Sequence, residues 1–306
     1  MKTVAIEDTP QLAASAAQIE MRRRFLFDFA ELVKARLTLL VLLTTAVGYY
    51  LGAANPINRA AFFHVVFGTA LAAAGAAALN QWWERRLDAL MLRTKKRPIP
   101  GGRMLPRDAI AIGGLLALAG IVYLAVTCNV LSACLAALTI VLYIFAYTPL
   151  KKISNTNTLV GAVPGAIPPM IGWAAARGTL DAGAWSLFAI LFFWQMPHFF
   201  ALAWMYRADY ARAGFRMLSS GDETGARSSS QAVLFSILLL IIGGVPAYLG
   251  LTSAIYLIVA LVLGSFLILM AMRFHQRRTA RDARALFVTS IIYLPLLLGA
   301  LVLTKI

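Results

Sequence analysis

Nine apolar stretches follow one another along the chain, and polar segments separate them. They cover about residues 36–53, 61–82, 108–127, 130–148, 157–176, 183–204, 231–250, 252–272 and 285–304. Each is close to the roughly 20 residues that a helix needs to cross the hydrocarbon core of a bilayer. Because backbone groups in lipid must satisfy their own hydrogen bonds, we expect every stretch to be helical. The pattern predicts an all-α, polytopic membrane protein with nine transmembrane helices.

The polar residues between these helices divide the chain further. Three polar loops, 83–107, 149–156 and 205–230, all lie on one side of the predicted membrane. Residues 1–28 are predicted to form a polar tail, and residues 29–306 a single transmembrane domain. The acid-bearing loops after the second and sixth helices are four helices apart. That interval suggests a diverged repeat that would bring the two loops together.

The fifth apolar stretch is rich in glycine and proline. Its segment GAVPGAIPPMIGW, from Gly161 to Trp173, contains three prolines, which interrupt helical hydrogen bonding locally. Its small residues also let neighbouring helices approach closely. Two interpretations stay open, a kinked packing helix and a helix bent to leave a cavity for a bulky flat substrate. The predicted architecture as a whole has nine helices around a central cavity.

Composition and charge agree with a membrane protein and orient it. Of 306 residues, 60% are hydrophobic and 13% charged, a mixture that excludes a soluble domain. With the N-terminus inside, 25 of the 28 lysines and arginines lie inside, all but Arg59, Arg177 and Lys305. The positive-inside rule then predicts a cytoplasmic N-terminal tail and an outer C-terminus. Since topology explains the net charge of +15 and no nucleic-acid-binding module is present, we expect no nucleic-acid partner.

The first thirty residues do not look like a targeting segment. They include Glu7, Asp8, Glu20 and Asp28, lack the apolar core of a signal peptide, and are too acidic for a mitochondrial transit peptide. We therefore expect a multi-pass protein of the bacterial cytoplasmic (inner) membrane.

Three polar side chains recur every four residues where the second helix meets water. Asn80, Glu84 and Asp88 therefore share one helical face. Two carboxylates one turn apart repel each other by a few tenths of a kcal/mol, and a shared divalent cation would reverse that repulsion. Magnesium is usually held by one or two carboxylates together with a substrate's phosphates. The face predicts a magnesium site at the membrane boundary.

Cationic side chains that suit phosphate follow this acidic face. Arg93, Lys95, Lys96 and Arg97 come within a dozen residues, and Lys151 and Lys152 end the fourth helix. Tyr147, one turn before Lys151, could help to orient an anion. Arginine can form bidentate forks with phosphate, whereas lysine acts as a point charge. Carboxylates that suit a metal ion and cationic side chains that suit an anion thus lie together at the membrane boundary. This combination indicates a lipid diphosphate substrate.

The end of the sixth helix supplies two further candidates. Asp209 is attached to its polar end, as Glu84 and Asp88 are to the second helix. Acids at a membrane boundary are costly unless paired or hydrated, so each indicates function, although pairing with a nearby arginine is the alternative for any one of them. His198, in WQMPH, lies about three turns deeper. We regard it as a candidate contact for the acceptor substrate.

These motifs resemble a known family. NQWWERRLDALMLRTKKRP, residues 80–98, looks like the NxxxD/ExxxDxxMxRTxxRP signature of the protohaem IX farnesyltransferases, or haem O synthases. That family belongs to the intramembrane, UbiA-type prenyltransferases related to 4-hydroxybenzoate polyprenyltransferase. The segments 147–173, 194–203 (WQMPHFFALA) and 209–214 (DYARAG) are similar to later motifs of the family, in the same order. The resemblance covers about residues 30–300.

The resemblance implies roles for individual residues. Asn80, Glu84, Asp88 and Asp209 would be catalytic, with Glu84, Asp88 and Asp209 as ligands of Mg²⁺, and Arg93, Arg97, Lys151 and Lys152 would meet phosphate oxygens. Two positions depart from the wider pattern, since Glu84 replaces the commoner aspartate and Met205 stands where a second acid is often found. The Met205 departure weakens the case for a full second metal site. The loop 215–230 also departs, and its role is open.

The implied reaction joins farnesyl diphosphate to haem B. Transfer of the farnesyl group to a haem vinyl group, with addition of water, would give haem O and diphosphate for the haems of terminal oxidases. A haem A synthase or a terminal oxidase assembly is the implied protein partner. One alternative is an aromatic-acceptor prenyltransferase of quinone biosynthesis. Another is a transporter, which the boundary position of the acids and cations disfavours.

Overall fold

Helices account for nearly all of the described chain. The computed structural model describes residues 9–306, with side chains described from residue 17 onward. The helices are α1 (Thr9–Leu32), α2 (Ala35–Gly52), α3 (Arg59–Asp88), α4 (Pro106–Thr127), α5 (Val130–Val141), a π-helix (Leu142–Tyr147), α6 (Thr148–Ile153), α7 (Asn157–Ala166), α8 (Pro168–Arg177), α9 (Ala182–Met205), α10 (Arg207–Arg212), a 3-10 helix (Leu218–Gly221), α11 (Ala226–Gly243), α12 (Val245–Tyr248), α13 (Ala254–Arg277) and α14 (Ala280–Leu303).

The nine predicted membrane helices are confirmed. Within residues 9–306, nine helical segments are long and apolar enough to cross a membrane, each at a predicted position. The largest differences are at the polar ends. Helix α3 continues to Asp88, and α11 already begins at Ala226. The predicted tail is helical from Thr9, and residues 1–8 lie outside the described part of the chain.

Close packing by glycine fixes α2 against α8. A Cβ atom added to Gly48 would meet the backbone of Pro169, and one added to Gly172 would meet the carbonyl oxygen of Thr45. Small residues in membrane helices allow such approach because no side chain separates the two backbones. Buried residues of α2 and α8 contribute to both of the large apolar clusters, one built on α9, α11, α13 and α14 and the other on α3, α4 and α5.

The fifth membrane segment is broken at Ile167, between α7 and α8. Pro168 and Pro169 follow the break, and proline has no backbone N–H to continue the ladder. Pro164, Gly165 and Pro168 line a cavity at the centre of the protein. The break and the adjoining cavity agree with a bent helix that leaves a cavity, while a bulky flat substrate in that cavity stays a prediction.

The fourth membrane segment contains the π-helix. The N–H of Thr148 bonds the carbonyl of Tyr143, five residues earlier, just before Pro149. π-Turns of this kind are frequent at functional sites. The wider turn places the rings of Tyr143 and Tyr147 in a stack, with centroids 5.7 Å apart, on the wall of the cavity.

The three predicted polar loops meet at one end of the bundle. The N–H of Arg216 donates to the carbonyl of Lys151 at 2.6 Å, and Met91 packs with Phe215 and Met217 in one apolar cluster. At the other end, Lys305 donates to the carbonyl of Tyr50 at 2.7 Å. The predicted clustering of the polar loops on one side is thus confirmed, while the face of the membrane to which they belong stays a prediction.

Candidate active site

The central cavity has a charged end and an apolar end. Its volume is about 350 Å³, and it lies between the helices just below the three polar loops. The charged end is lined by Lys34, Asn80, Glu84, Asp88, Arg93, Arg97, Tyr143, Tyr147 and Lys151. The apolar end is lined by Leu37, Val41, Ala73, Ala76, Ala77, Pro164 and Phe199. This arrangement suits a ligand with an anionic head and a hydrocarbon tail.

Glu84 and Lys151 form an ion pair in the wall of the cavity. The Nζ atom of Lys151 donates to Oε1 of Glu84 at 2.6 Å, and their side chains are 13% and 5% exposed. Lys151 also lies 4.4 Å from the centre of the Tyr147 ring. That ring packs directly against Gly161, where a Cβ atom would collide with it. The broken fifth segment therefore packs against Tyr147, and Tyr147 in turn contacts Lys151.

Asp88 and Arg97 form a second ion pair across the loop after α3. The guanidinium of Arg97 donates to Oδ2 of Asp88 at 2.6 Å. The hydroxyl of Thr94 donates to the carbonyl of Asp88 at 2.9 Å, so the loop folds back and returns Arg97 to the helix end. The other carboxylate oxygen, Oδ1 of Asp88, is buried and has no hydrogen-bond partner among the described residues.

Lys34 is a site residue that the sequence analysis missed. Its ammonium group donates to Oδ1 of Asn80 at 2.7 Å and to the hydroxyl of Tyr143 at 3.3 Å. Burial and the nearby charge of Arg97 lower the pKa of Lys34 to about 7. A lysine at the first residue before a membrane helix is usual for anchoring, and no pattern in the sequence connects it with Asn80.

The position of Lys34 is set by the break between α1 and α2. Its backbone is left-handed, with φ 50° and ψ 52°, a conformation rare for a residue with a Cβ atom. The side-chain amide of Gln81 donates to the carbonyls of Glu31 and Leu32 at 2.7 and 2.8 Å, which secures the end of α1. Neighbouring residues of α3 therefore hold both the backbone and the side chain of this turn.

Asp209 lies beside the central cavity rather than in its wall. It lines a neighbouring cleft of about 390 Å³ together with Arg93, and Arg93 lines both spaces. Asp209 pairs with Arg212, and its Oδ2 accepts the N–H of Arg93 at 3.4 Å. The two acidic loops are therefore adjacent, as the four-helix interval predicted. Tyr210, the next residue, does line the central cavity.

Like Asp209, two further predicted site residues do not line the central cavity. Lys152 is exposed and is not one of the residues that line the cavity. His198 lies on α9 and packs against α14. Its Nδ1 lies 2.9 Å from the hydroxyl oxygen of Ser290, and its ring centre lies 4.6 Å from that of Phe287. Its neighbour Phe199 lines the cavity instead.

The residues that line the cavity fit a hard cation and an anion. Within residues 9–306, no three His, Cys, Asp or Glu side chains are grouped so that they could hold a metal ion by themselves. Glu84 and Asp88 nonetheless offer hard oxygen ligands, and the unpartnered Oδ1 of Asp88 suits a cation. Of the charged side chains in the wall, Lys34, Arg93, Arg97 and Lys151 are cations, and only Glu84 and Asp88 are acids. This excess of cations favours an anionic ligand.

Comparison with known proteins identifies the relatives of this chain. The profile of the UbiA prenyltransferase family matches residues 41–294. A protohaem IX farnesyltransferase of Solibacter usitatus is 44% identical over 287 residues, covering 91% of this chain and 98% of that protein. Most of the chain, including the whole central cavity except the Lys34 turn and the first residues of α2, lies within the family match.

Solved structures share the fold at low identity. A digeranylgeranylglyceryl phosphate synthase aligns with a TM-score of 0.77 at 15% identity, covering 91% of this chain and 98% of that one. A UbiA homologue from Archaeoglobus fulgidus bound to GPP and Mg²⁺ aligns with a TM-score of 0.62 at 14% identity, covering 90% and 100%. At these identities the likeness establishes the arrangement of the helices.

Proposed function

The chain belongs to the UbiA prenyltransferase family, and we propose that it transfers a farnesyl group from farnesyl diphosphate to a vinyl group of haem B. The observation that carries the proposal is the pair of ion pairs, Glu84–Lys151 and Asp88–Arg97, at the charged end of a cavity whose other end is apolar. The haem acceptor is supported by the Solibacter usitatus relative, at 44% identity over nearly the whole chain.

The two ion pairs are arranged to exchange partners when the donor binds. Arg97 and Lys151 would move from the carboxylates to diphosphate oxygens, and the carboxylates of Asp88 and Glu84 would become free for a cation. Every charge then keeps an opposite charge, which matters because an unpaired buried charge is costly. Lys34 adds a further basic side chain without a carboxylate partner among the described residues, and an anionic donor would favour its protonated form.

Magnesium is the proposed cofactor. Glu84 and Asp88 would hold it, with Asp209 approaching from the neighbouring cleft. Bound magnesium neutralises charge that develops on a departing diphosphate. The related Archaeoglobus fulgidus structure, bound to GPP and Mg²⁺, supports a metal-dependent donor site in the same fold.

The residues of the cavity assist cleavage of the C1–O bond of the donor. The diphosphate departs with the electron pair of that bond, and Arg97, Lys151 and Lys34 stabilise its negative charge. The farnesyl chain occupies the apolar end, beside residues such as Val41 and Ala76. Those walls exclude bulk water, which protects the allylic cation from early hydrolysis.

Capture by the acceptor completes the reaction. The terminal vinyl carbon of haem B forms a bond to C1 of the farnesyl cation, which leaves a cation on the carbon next to the porphyrin ring. Water adds to that carbon and releases a proton. The products are haem O, diphosphate and the proton, so atoms and charge balance.

The experiment is a reconstituted reaction with purified protein in detergent. Farnesyl diphosphate, haem B and MgCl₂ should yield a haem whose mass has increased by one farnesyl group and one hydroxyl group, together with pyrophosphate. 4-Hydroxybenzoate as acceptor tests the quinone-type alternative. Farnesylation of 4-hydroxybenzoate but not of haem B would overturn the proposed acceptor, and flux into vesicles without pyrophosphate release would indicate a transporter.

We also propose where the protein is located and which proteins use its product. The bias of lysine and arginine to the three polar loops supports a multi-pass protein of the bacterial inner membrane with the active-site end in the cytoplasm. A haem A synthase or a terminal oxidase assembly would be the consumer of haem O. A periplasm-active reporter fused after Ile306 should be active if this topology is correct.

A further inference from the structure

We infer that a pair of arginines at the start of α14, Arg281 and Arg284, binds the two carboxylates of the acceptor, in a cleft that adjoins the donor site. This inference rests on the proposed function, because it assigns a place to the haem acceptor. Arg281 and Arg284 line a cleft of about 320 Å³ together with Met205 and Tyr206 at the end of α9. Neither arginine lines the central cavity that forms the donor site.

The cleft is connected with the donor site through shared residues. Met205 and Tyr206 also bound the cleft that contains Arg93 and Asp209. Arg93 lies over the Tyr206 ring, 5.2 Å from its centre, and lines the central cavity as well. A path of adjoining surfaces therefore leads from Arg284, past Tyr206, to the charged end of the cavity.

The two arginines are placed for a dicarboxylate. They are three residues apart on α14, so they lie on one face, with Cβ atoms about 5–6 Å apart. Both are exposed, and neither has a carboxylate partner among the described side chains, whereas Arg273 of the preceding helix is paired with Asp282 at 2.7 Å. Guanidinium groups bind carboxylates through two parallel hydrogen bonds. Haem B carries its two propionates side by side on one edge, which matches this spacing.

Met205 gives the cleft a surface suited to a porphyrin ring. Met205 contributes an apolar side chain to the wall of the cleft, beside Tyr206. A thioether makes favourable contacts with aromatic rings and brings no negative charge that would repel the propionates. With the propionates at Arg281 and Arg284, the opposite half of the ring, which carries the vinyl groups, extends toward Arg93 and the donor.

The test compares two ligands and two double variants. Haem B is compared with its dimethyl ester, which has the same ring and no carboxylates, by Soret titration of the purified protein with farnesyl diphosphate absent. The test variant is Arg281→Met with Arg284→Met. The matched control is Arg277→Met with Arg278→Met, which removes two exposed arginines just before α14 that do not line the cleft.

The expected result is a loss of discrimination. Wild type and control should bind haem B about 10–100-fold more tightly than the ester, as expected for charge-assisted hydrogen bonds. The test variant should bind both ligands with the affinity that wild type shows for the ester. Its KM for farnesyl diphosphate should be unchanged.

Two results would overturn the inference. One is equal affinity of wild type for haem B and the ester, a measurement that needs no variant. The other is a folded test variant, or either single variant if the double one does not fold, that keeps the full preference for haem B. Both are distinct from a failure of the proposed function, in which wild type would not farnesylate haem B at all.

Discussion

The Nζ atom of Lys151 lies 2.6 Å from Oε1 of Glu84, at the charged end of a cavity whose other end is mainly apolar. Each charge is therefore satisfied by the other before a substrate binds. Breaking a buried pair by removing one partner costs about 3–5 kcal/mol, because a buried charge is left uncompensated. The same pair supplies a cation for phosphate and a carboxylate for a metal when the partners are exchanged.

Glu84→Gln should lower kcat/KM for farnesyl diphosphate at least ~100-fold, as expected when electrostatic stabilisation of the leaving group is lost. It should also lower the melting temperature, since Lys151 loses its carboxylate. Adding Lys151→Met should restore much of the stability and none of the activity. Thermal melts and haem O formation by mass spectrometry measure the two effects. A fully active Glu84→Gln protein would exclude Glu84 from the site.

Asp88→Asn should change the magnesium requirement. The buried Oδ1 of Asp88 has no partner, and replacement of a carboxylate by an amide removes the charge that a hard cation prefers. We expect the Mg²⁺ concentration for half-maximal activity to rise by about tenfold or more, a loss of about 1.4 kcal/mol in affinity. A magnesium titration at saturating farnesyl diphosphate measures this. An unchanged midpoint would remove Asp88 from the proposed ligands.

Lys34→Met should weaken binding of the donor. Lys34 reaches the cavity wall beside Asn80 without a carboxylate partner among the described residues, and loss of a charge-assisted contact weakens binding by about 10–100-fold. Lys305→Met is a matched control, because Lys305 is also partly buried and donates to two acceptors, the carbonyls of Tyr50 and Ala53. The KM for farnesyl diphosphate in the two variants is the measurement. Equal KM values would contradict a role of Lys34 in donor binding.

Gly161→Ala should reduce activity by displacing the ring of Tyr147. A methyl group at position 161 would collide with that ring, which in turn contacts Lys151. The control is Gly114→Ala, since a Cβ atom there meets nothing within 4 Å. We expect kcat/KM for Gly161→Ala to be about tenfold lower, which corresponds to about 1.4 kcal/mol in the barrier. For Gly114→Ala we expect no change in kcat/KM.

Asp222 should stabilise the loop 215–230 at neutral pH. Burial opposes its charge, but hydrogen bonds from the N–H groups of Ser228 and Arg227 outweigh burial and lower the pKa of Asp222 below its ordinary value. A lowered folded-state pKa gives stability above the unfolded pKa that is lost as the pH falls through the folded one. Asp222→Asn should therefore melt lower than wild type at pH 7, and the difference should shrink below about pH 4. A constant difference in melting temperature across this range would contradict that role.

The sequence predicted much of the site because its key residues lie on one helix. Asn80, Glu84 and Asp88 share a face by periodicity alone, and Arg97 returns to Asp88 within a local loop. Lys34 escaped the analysis because its partner Asn80 is 46 residues away, across a helix break held by Gln81. His198 was expected near the acceptor because a histidine in an apolar helix is unusual. Rotation of α9 turns it toward Ser290 and leaves Phe199 facing the cavity.

By itself, the sequence determined the nine membrane helices, the clustering of the polar loops at one end and the acidic face of α3. Each of these follows from hydrophobicity or from helical periodicity, which act over a few turns of chain. Only the tertiary structure decided that Lys151 pairs with Glu84, that Lys34 enters the cavity and that Asp209 lies in an adjoining cleft. Those relationships depend on how far each helix rotates and where prolines and glycines break it, which is set by packing between segments distant in the chain.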